Sequence, residues 1–477
     1  MEDIMNRKTT RIERDSMGIM RVPSEAYYGA STQRAVLNFP ISELRFQRTF
    51  IRALALIKLC AADVNLSLKL LDRKKAGAIK RAAREAAAGK LDSHFVVDIF
   101  QTGSGTSTNM NANEVIAARA LEILGERRDN KSVIHPNDDV NRGQSSNDVI
   151  PSATHVAALI ELNEQLLPAL AALKQSLLAK SEQFEGVLKT GRTHLQDATP
   201  ISLGQEFLGY AGQIERAIER TEHACLRLSP VALGGTAVGT GINTHPEFAA
   251  RVCRKLSKML GFDVKETSNH FQAQSTLDEV VEASGTLKTI AVSLTKIAND
   301  IRWLGSGPRA GLGEIALPEV QPGSSIMPGK VNPVIAESLL QVCAHVIGND
   351  AAITFAGQSG NFELNVMQPI AAFKLLESIT LLANAVSNFR LRCIDGITAT
   401  SKGPQLVANG LLLATALVPA IGYDLAAKIA KEAAHTGQSI AQVAKRMTSL
   451  SDAELERLLD PAQMIAPGFE GNGGSAA

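Results

Sequence analysis

The chain of 477 residues is long enough for about two to four domains and a large core, which removes any dependence on disulfide or metal staples. Its 49 Lys plus Arg nearly balance 48 Asp plus Glu, a net charge of +1 that excludes a general basic field for nucleic acid and an acidic, solvating chain. Apolar residues make up 45% but aromatic ones only 4%, with Trp303 the one tryptophan, so Leu, Ile, Val and Ala must build the core, a composition that favours helix on helix.

The five cysteines, Cys60, Cys225, Cys253, Cys343 and Cys393, are odd in number and far apart, with no Cys-x-x-Cys pair. They read as packed, reduced thiols rather than ligands of zinc or an iron–sulfur cluster. Met1 to Arg14 is charged and lacks the apolar core of a secretory signal, and no run of about eighteen uncharged apolar residues occurs. The expectation is a cytoplasmic protein with no membrane partner.

From Thr10 to Glu43 the text is irregular, punctuated by Pro23, Gly29 and Pro40, which predicts extended segments and turns. Residues 46–90 read as two helices, the second basic and most simply a solvated face, since no aromatic interleaves its charges. Gln101 to Asn113 is a polar run rich in Gly, Ser, Thr and Asn, read as a ligand loop leading into a helix over Glu114–Leu124. Such a run presents amides and hydroxyls to an anion at a helix N-terminus, although a turn with a cap needs only part of it. His135-Pro-Asn-Asp138 follows, then Gln144-Ser-Ser-Asn-Asp148, where Ser145, Ser146 and Asn147 stand at N-capping positions of the next helix. One of them suffices for a cap, so three point to carboxylate binding. His135 with Asp138 and Asp139 lacks the i, i+4 spacing of a metal site, and none is expected.

Long amphipathic helices follow. Leu162, Leu166, Leu167, Leu170, Leu173, Leu177 and Leu178 recur at helical spacing, with Pro168 expected to kink the rod. Residues 191–200 form a polar break containing Thr193 and His194; a lone histidine is usually structural and needs company to become an acid or base. Leu233 to Gly241 is a glycine-rich turn, not a nucleotide loop, because no Lys-Ser or Lys-Thr ends it. Leu287, Ile290, Leu294, Ile297, Ile301 and Leu304 step 3, 4, 3, 4, 3 and mark a packed rod. Five rods are expected, at 148–190, 202–228, 277–305, 334–357 and 367–397.

Gly323-Ser-Ser-Ile-Met-Pro-Gly-Lys-Val-Asn-Pro333 separates two of these rods. Its two glycines and two prolines force a loop, and Ser324, Lys330 and Asn332 give it more polar function than a connection requires. Glu337 falls in the first turn of the following helix, where the dipole favours a carboxylate in any case. Shorter segments with Gly403, Pro404, Gly422 and Gly437 indicate a small C-terminal helical domain, and Gly468 to Ala477 a disordered tail. The domain boundaries that follow are 1–144, 145–400 and 401–477.

The loop Gly323–Pro333 resembles the signature of the fumarase/aspartase superfamily, which cleaves a C–N or C–O bond beta to a carboxylate. Gln101–Thr106, Gln144–Asp148, Gly191–His194 and Gly360–Asn365 resemble the class II fumarases within it. The likeness runs from Arg11 to about Met464. It implies an all-α homotetramer in which each chain gives five rods to a central twenty-helix bundle, with smaller N- and C-terminal domains and active sites built from three chains. The implied activity is fumarate hydratase: a hydro-lyase interconverting fumarate and (S)-malate, a tricarboxylic acid cycle step, without cofactor or metal.

By the same resemblance, Ser324 is the base that takes a proton from malate to give an aci-carboxylate, with Lys330 supporting its charge. His194 handles the water and Glu337 pairs with it. Ser104, Thr106, Ser145, Ser146, Asn147, Thr193, Lys330 and Asn332 hold the substrate carboxylates, and His135, Asn137 and Asp138 match a second, non-catalytic dicarboxylate site. Ser132 stands there where a basic residue is common, and Gly143 where serine usually precedes Gln144. The alternatives are an aspartate ammonia-lyase, which would more typically carry Gln in place of His194, and a catalytically silent helical oligomer. The combination of Ser324, Lys330, Asn332, His194 and Glu337 argues against silence.

Overall fold

The computed structural model describes residues 10–468, so the tail expected at Gly468–Ala477 lies outside the described residues except for Gly468 itself. Among the described residues there are 17 α-helices and only small two-stranded sheets, which makes the chain all-α in its load of structure. They form two compact units, one of residues 10–168, 217–291 and 342–383 and the other of 169–216, 292–341 and 384–468.

The first unit opens with an antiparallel hairpin, β1 (Thr10–Asp15) and β2 (Gly18–Pro23), as the irregular N-terminal text suggests. Helix α1 (Ala30–Asn38), which the sequence did not announce, has no acid of its own in its first turn. Glu114 of another helix supplies it, its carboxylate accepting from the amides of Gly29, Ser31 and Thr32 at 2.8–3.1 Å. The two helices expected over 46–90 are α2 (Arg48–Ser67) and α3 (Arg73–Ala87). Asp72 caps α3 by accepting from the amides of Lys74 and Lys75; Lys75 pairs with Asp139 at 3.0 Å and Lys80 with Asp63, while Arg73, Lys74, Arg81 and Arg84 form the exposed face.

The run 101–113 is mostly helix. Helix α4 spans Thr106–Ile123, eight residues earlier at its start than the polar text predicts, leaving only 101–105 as loop. Gly105, at φ 71°, makes the left-handed entry, and Thr108, Asn109, Asn111 and Asn113 are buried rather than solvated. Gln101 accepts from the Thr108 amide at 3.0 Å and Asn111 donates to the His94 carbonyl at 2.9 Å, so tertiary bonds keep these short polar chains from competing with the helix.

Helix α5 (Ser146–Glu161) starts at the predicted Ser-Ser-Asn and continues through a π turn at Leu162–Leu166 into α6 (Leu167–Gln183). The π turn stands just before Pro168, whose missing amide cannot bond to the carbonyl four residues back, and it is how the rod absorbs that proline. The other rods are α7 (Leu203–Leu228), α10 (Asp278–Leu304), α11 (Val334–Gly357) and α12 (Gln368–Arg392), with the shorter α8 (Phe248–Leu260) and α9 (His270–Ser275) between α7 and α10. All six residues of the 3, 4 series from Leu287 to Leu304 are at most 4% exposed.

By length and composition alone, three helices among the described residues, Ser146–Gln183, Val334–Gly357 and Gln368–Gly396, would suffice to cross a membrane. No uninterrupted uncharged run makes them so; their mean hydropathy is high because rods in a bundle bury apolar residues on more than one face. Each also carries inward polar anchors: buried Asp350 on α11 accepts from Ser284 and Lys288 of α10 at 2.8 and 2.6 Å.

In the second unit the break at 191–200 is an antiparallel hairpin, β3 (Leu188–Thr193) and β4 (Gln196–Ser202). Its C-terminal part is a set of short helices between Lys402 and Leu458 around Leu417, Ile429, Ala433, Val443 and Ala444, as the shortened segments predict.

Candidate active site

The polar segments singled out in the sequence lie at helix ends, in turns and at a hairpin tip. In the first unit, α4 and α5 bring their N-termini together. Ser104 Oγ and Thr106 Oγ1 lie 2.8 Å apart, and Thr106 Oγ1 donates to Ser146 Oγ at 2.9 Å, so three of the predicted carboxylate-binding hydroxyls form one chain. Two helix dipoles and three rotatable hydroxyls are the groups that favour an anion at a helix N-terminus. Gly103 is required behind it: a Cβ there would stand 2.0 Å from the Val366 carbonyl oxygen, and the Gly103 carbonyl accepts from the Gln368 amide at 3.0 Å.

Ser145 caps α5 in a reciprocal box with Asp148, and Asn147 donates to the Ala237 carbonyl at 2.8 Å. Asp148, fully buried, also accepts from the amides of Gly234 and Thr236, both at 3.0 Å, so the glycine-rich turn is the wrapping of a buried carboxylate. Burial pushes this carboxyl up to about 6, opposed by the amides of Ser145, Thr236 and Gly234 and by Lys58.

His135, Asn137 and Asp138 occupy a π turn, Pro136–Val140. His135 Nδ1 accepts from the amides of Asn137 and Asp138, both at 3.2 Å, which requires a neutral ring protonated at Nε2. The 3.4 Å approach of Asp138 to the same nitrogen is therefore not an ion pair.

In the second unit, Thr193 and His194 stand at the tip of β3–β4. His194 and Leu195 both have positive φ, 56° and 60°, the pattern of a type I′ turn that ordinarily takes Asn or Gly. Each such non-glycine residue costs about 1–3 kcal/mol, strain that places an exposed imidazole at the apex. The hairpin is pinned behind the tip by Arg192, whose guanidinium grips buried Glu314 through two bonds of 2.7 and 3.0 Å.

The loop Gly323–Pro333 closes on itself. The Gly323 amide donates to the Lys330 carbonyl at 2.8 Å and Asn332 Nδ2 to the Gly323 carbonyl at 2.7 Å, while Gly329 turns at φ 77°. Ser324 Oγ accepts from the amides of Ile326 and Met327 at 3.2 and 3.0 Å, two donors aimed at one hydroxyl oxygen. Lys330, Asn332 and Glu337 line a cavity of about 840 Å³ with Arg302, Trp303 and Glu319. His194 is not among the residues lining it, and among the described residues no hydrogen bond or ion pair joins His194 to Glu337 within the chain.

The residues the sequence reading passed over are supports: Lys58, Asp148, Arg192 and Glu314. Lys58 carried a signal, being the one charge in the otherwise apolar stretch Ala53–Ala62.

Family comparison matches this geometry. A lyase family model covers residues 18–348 and a fumarase C C-terminus model residues 413–466. A class II fumarate hydratase of Methylorubrum extorquens is 50% identical over 462 residues, spanning 97% of this chain and 98% of its own. The chain belongs to the class II fumarate hydratase family. The mitochondrial fumarate hydratase of Saccharomyces cerevisiae is 49% identical, over 96% of this chain and 94% of its own. The class II fumarase structure of Schistosoma mansoni superposes with a TM-score of 0.92 at 38% identity, covering 95% of this chain and 99% of its own. The fumarate lyase:delta crystallin structure of Brucella melitensis, bound to cobalt, also gives 0.92, at 47% identity and 96% and 100% coverage. A class II fumarate hydratase thus has in this chain its hydroxyl-lined helix ends and its self-closed serine loop.

Proposed function

We propose that the chain interconverts fumarate and (S)-malate by acid–base catalysis, with Ser324 as the carbon base. The observation that carries the mechanism is the pair of amides on Ser324 Oγ. A serine hydroxyl is a weak base because its alkoxide is costly. Two amide donors to the charged oxygen, each worth about 1.5–3 kcal/mol, together with Lys330 at the loop's other end, lower that cost.

In the malate direction the Ser324 alkoxide takes a C3 proton. The electron pair left on C3 spreads into the adjacent carboxylate as the aci-form, whose extra charge needs donors such as Lys330 and Asn332. The C2–O bond then breaks, the electron pair on C3 forms the double bond, and the departing hydroxyl takes a proton from the His194 imidazolium to leave as water. Glu337 favours that charged imidazole. Ser104, Thr106, Ser145, Ser146, Asn147 and Thr193 hold the carboxylates, and no cofactor takes part.

The working unit is a homotetramer whose sites draw on three chains. This reading is supported by the absence of His194 from the residues that line the cavity beside Lys330 and Glu337 in its own chain. It is supported too by large apolar side chains left exposed on the rods, among them Leu208 (53%), Val292 (56%) and Phe355 (61%), which an intermolecular bundle would cover. The turn at His135, Asn137 and Asp138 is a second dicarboxylate site of low affinity, because Nδ1 is already engaged and Ser132 bonds to Asn130 at 2.6 Å and supplies no cation. A cytoplasmic location suits the thiols: no disulfide joins them, and burial pushes Cys60, Cys253 and Cys393 up to about 12.

Offering malate and aspartate separately tests the activity. Fumarate from malate and none from aspartate is expected; the reverse would make the chain an ammonia-lyase.

A further inference from the structure

Lys58 lies in the middle of α2 with a side chain wholly removed from solvent, and it makes no ion pair among the described residues. Its ammonium donates instead to two carboxamide oxygens, Asn141 Oδ1 at 2.7 Å and Gln144 Oε1 at 3.0 Å. Both belong to the turn that leads into Ser145, Ser146 and Asn147. That turn is otherwise held by Asn141 Nδ2 on the Gln144 carbonyl at 3.1 Å, by Gln144 Nε2 on the Val140 carbonyl at 3.2 Å, and by Asn65 on the Arg142 carbonyl at 3.1 Å. A buried ammonium bonded only to neutral oxygens is expensive, and a protein made only to fold would serve the same turn with a neutral donor.

We propose that Lys58 is a positioning residue for dicarboxylate binding, holding the 141–147 turn from beneath and lending positive charge to the hydroxyls of Ser104, Thr106 and Ser146. The proposal rests on the reading of those hydroxyls as carboxylate ligands. Burial pushes Lys58 down to about 7, opposed by Asp148. Of the charges on elements packed against α2, Lys75 is taken up by Asp139, and Lys80 and Lys255 by Asp63, while others such as Arg81 on α3 and Arg254 on α8 are exposed to solvent. Glu114 is bonded to Thr32 and to the amides of Gly29 and Ser31, and Asp148 is spread over three amides. An arriving dianion favours the charged ammonium, so binding draws a proton onto Lys58 near neutrality. Affinity is then full below about pH 7 and declines as the pH rises through that value.

The test is calorimetric binding of succinate, an unreactive dicarboxylate, to the full-length oligomer at pH 7 in two buffers of different ionisation enthalpy. A His194→Asn background removes the imidazole's contribution. Proton uptake is expected in that background, and its disappearance in His194→Asn/Lys58→Met, with Kd raised by about tenfold or more. Lys58→Arg, charged at every working pH, is expected to bind succinate with an affinity that no longer declines between pH 7 and 8.5. Absence of uptake in the His194→Asn protein, uptake unchanged in the double variant, or an unchanged pH profile in Lys58→Arg overturns the proposal. Thr106→Val separates the two layers. If it fails to weaken succinate, the hydroxyl site itself is misread; if it weakens succinate while the Lys58 variants behave as the parent, only the role of Lys58 falls.

Discussion

Arg192 and Glu314 meet as a planar fork on a carboxylate, 122 residues apart in sequence, with Glu314 only 1% exposed at its side chain. Lys189 approaches the same carboxylate at 3.6 Å. This is the fixture from which the His194 turn projects. Removing one member of a buried pair leaves the other charge uncompensated, so Glu314→Ala is expected to cost about 3–5 kcal/mol of stability. Arg192→Lys keeps the charge but not the fork and is expected to cost less while still lowering kcat. Urea denaturation and malate turnover, measured on both variants, check the order.

In the proposed mechanism the hydroxyl chain at the ends of α4 and α5 bears on binding more than on chemistry. Thr106→Val and Ser146→Ala are each expected to raise KM for malate about 5- to 30-fold, the size of one or two net hydrogen bonds, with kcat changed less. Steady-state kinetics with malate and with fumarate decide it. A fall in kcat with KM unchanged would assign these residues to the transition state instead.

Gly323 tests the closure of the serine loop. A Cβ there would stand 2.5 Å from the Lys330 carbonyl oxygen and 2.8 Å from the Asn332 amide nitrogen, both backbone atoms. Gly323→Ala is therefore expected to open the loop and to lower kcat about 10-fold or more, while size-exclusion chromatography shows the oligomer unchanged. Gly329→Ala, strained at φ 77° but with nothing near its Cβ, is expected to be milder.

Acid stability has a local source at Glu122. Its carboxylate accepts from the Tyr27 hydroxyl at 2.6 Å and from Arg128 and Arg119, and its pKa falls to about 2, chiefly through the Tyr27 bond. A depressed folded-state value means stability that is present above the unfolded value of 4.5 and is lost as the pH falls towards 2. Glu122→Gln is expected to be less stable than the parent at pH 7 and to lose less on acidification through this window. Denaturation midpoints at pH 7, 4 and 3 provide the check.

The rods and the loop that interrupts them were legible because each obeys a local rule. The 3, 4 spacing from Leu287 to Leu304 is a property of one helix, and Gly323 to Pro333 cannot be helical whatever surrounds it. The start of α4 was missed because Asn109, Asn111 and Asn113 read as solvated in the text, whereas the fold buries all three. The hairpin at 188–202 was missed because Leu-Lys-Thr-Gly-Arg-Thr has no alternation, and its turn uses His and Leu where Asn and Gly are the signal. At the candidate site the text offers residues by their functional groups, whereas the residues bonded behind them come from far along the chain. Lys58 bonds to residues 83 and 86 positions away, and Arg192 to one 122 away.

In the proposed tetramer His194 and Ser324 act on one substrate from different chains. The direct measurement is malate turnover after mixing Ser324→Ala with His194→Asn protein, each expected to have lost about 10²–10⁴ in kcat, under conditions where subunit exchange is confirmed by native mass spectrometry. Recovery of a fraction of parental activity on mixing, rising with the extent of exchange, is the predicted result. Complete exchange with no recovery would contradict it.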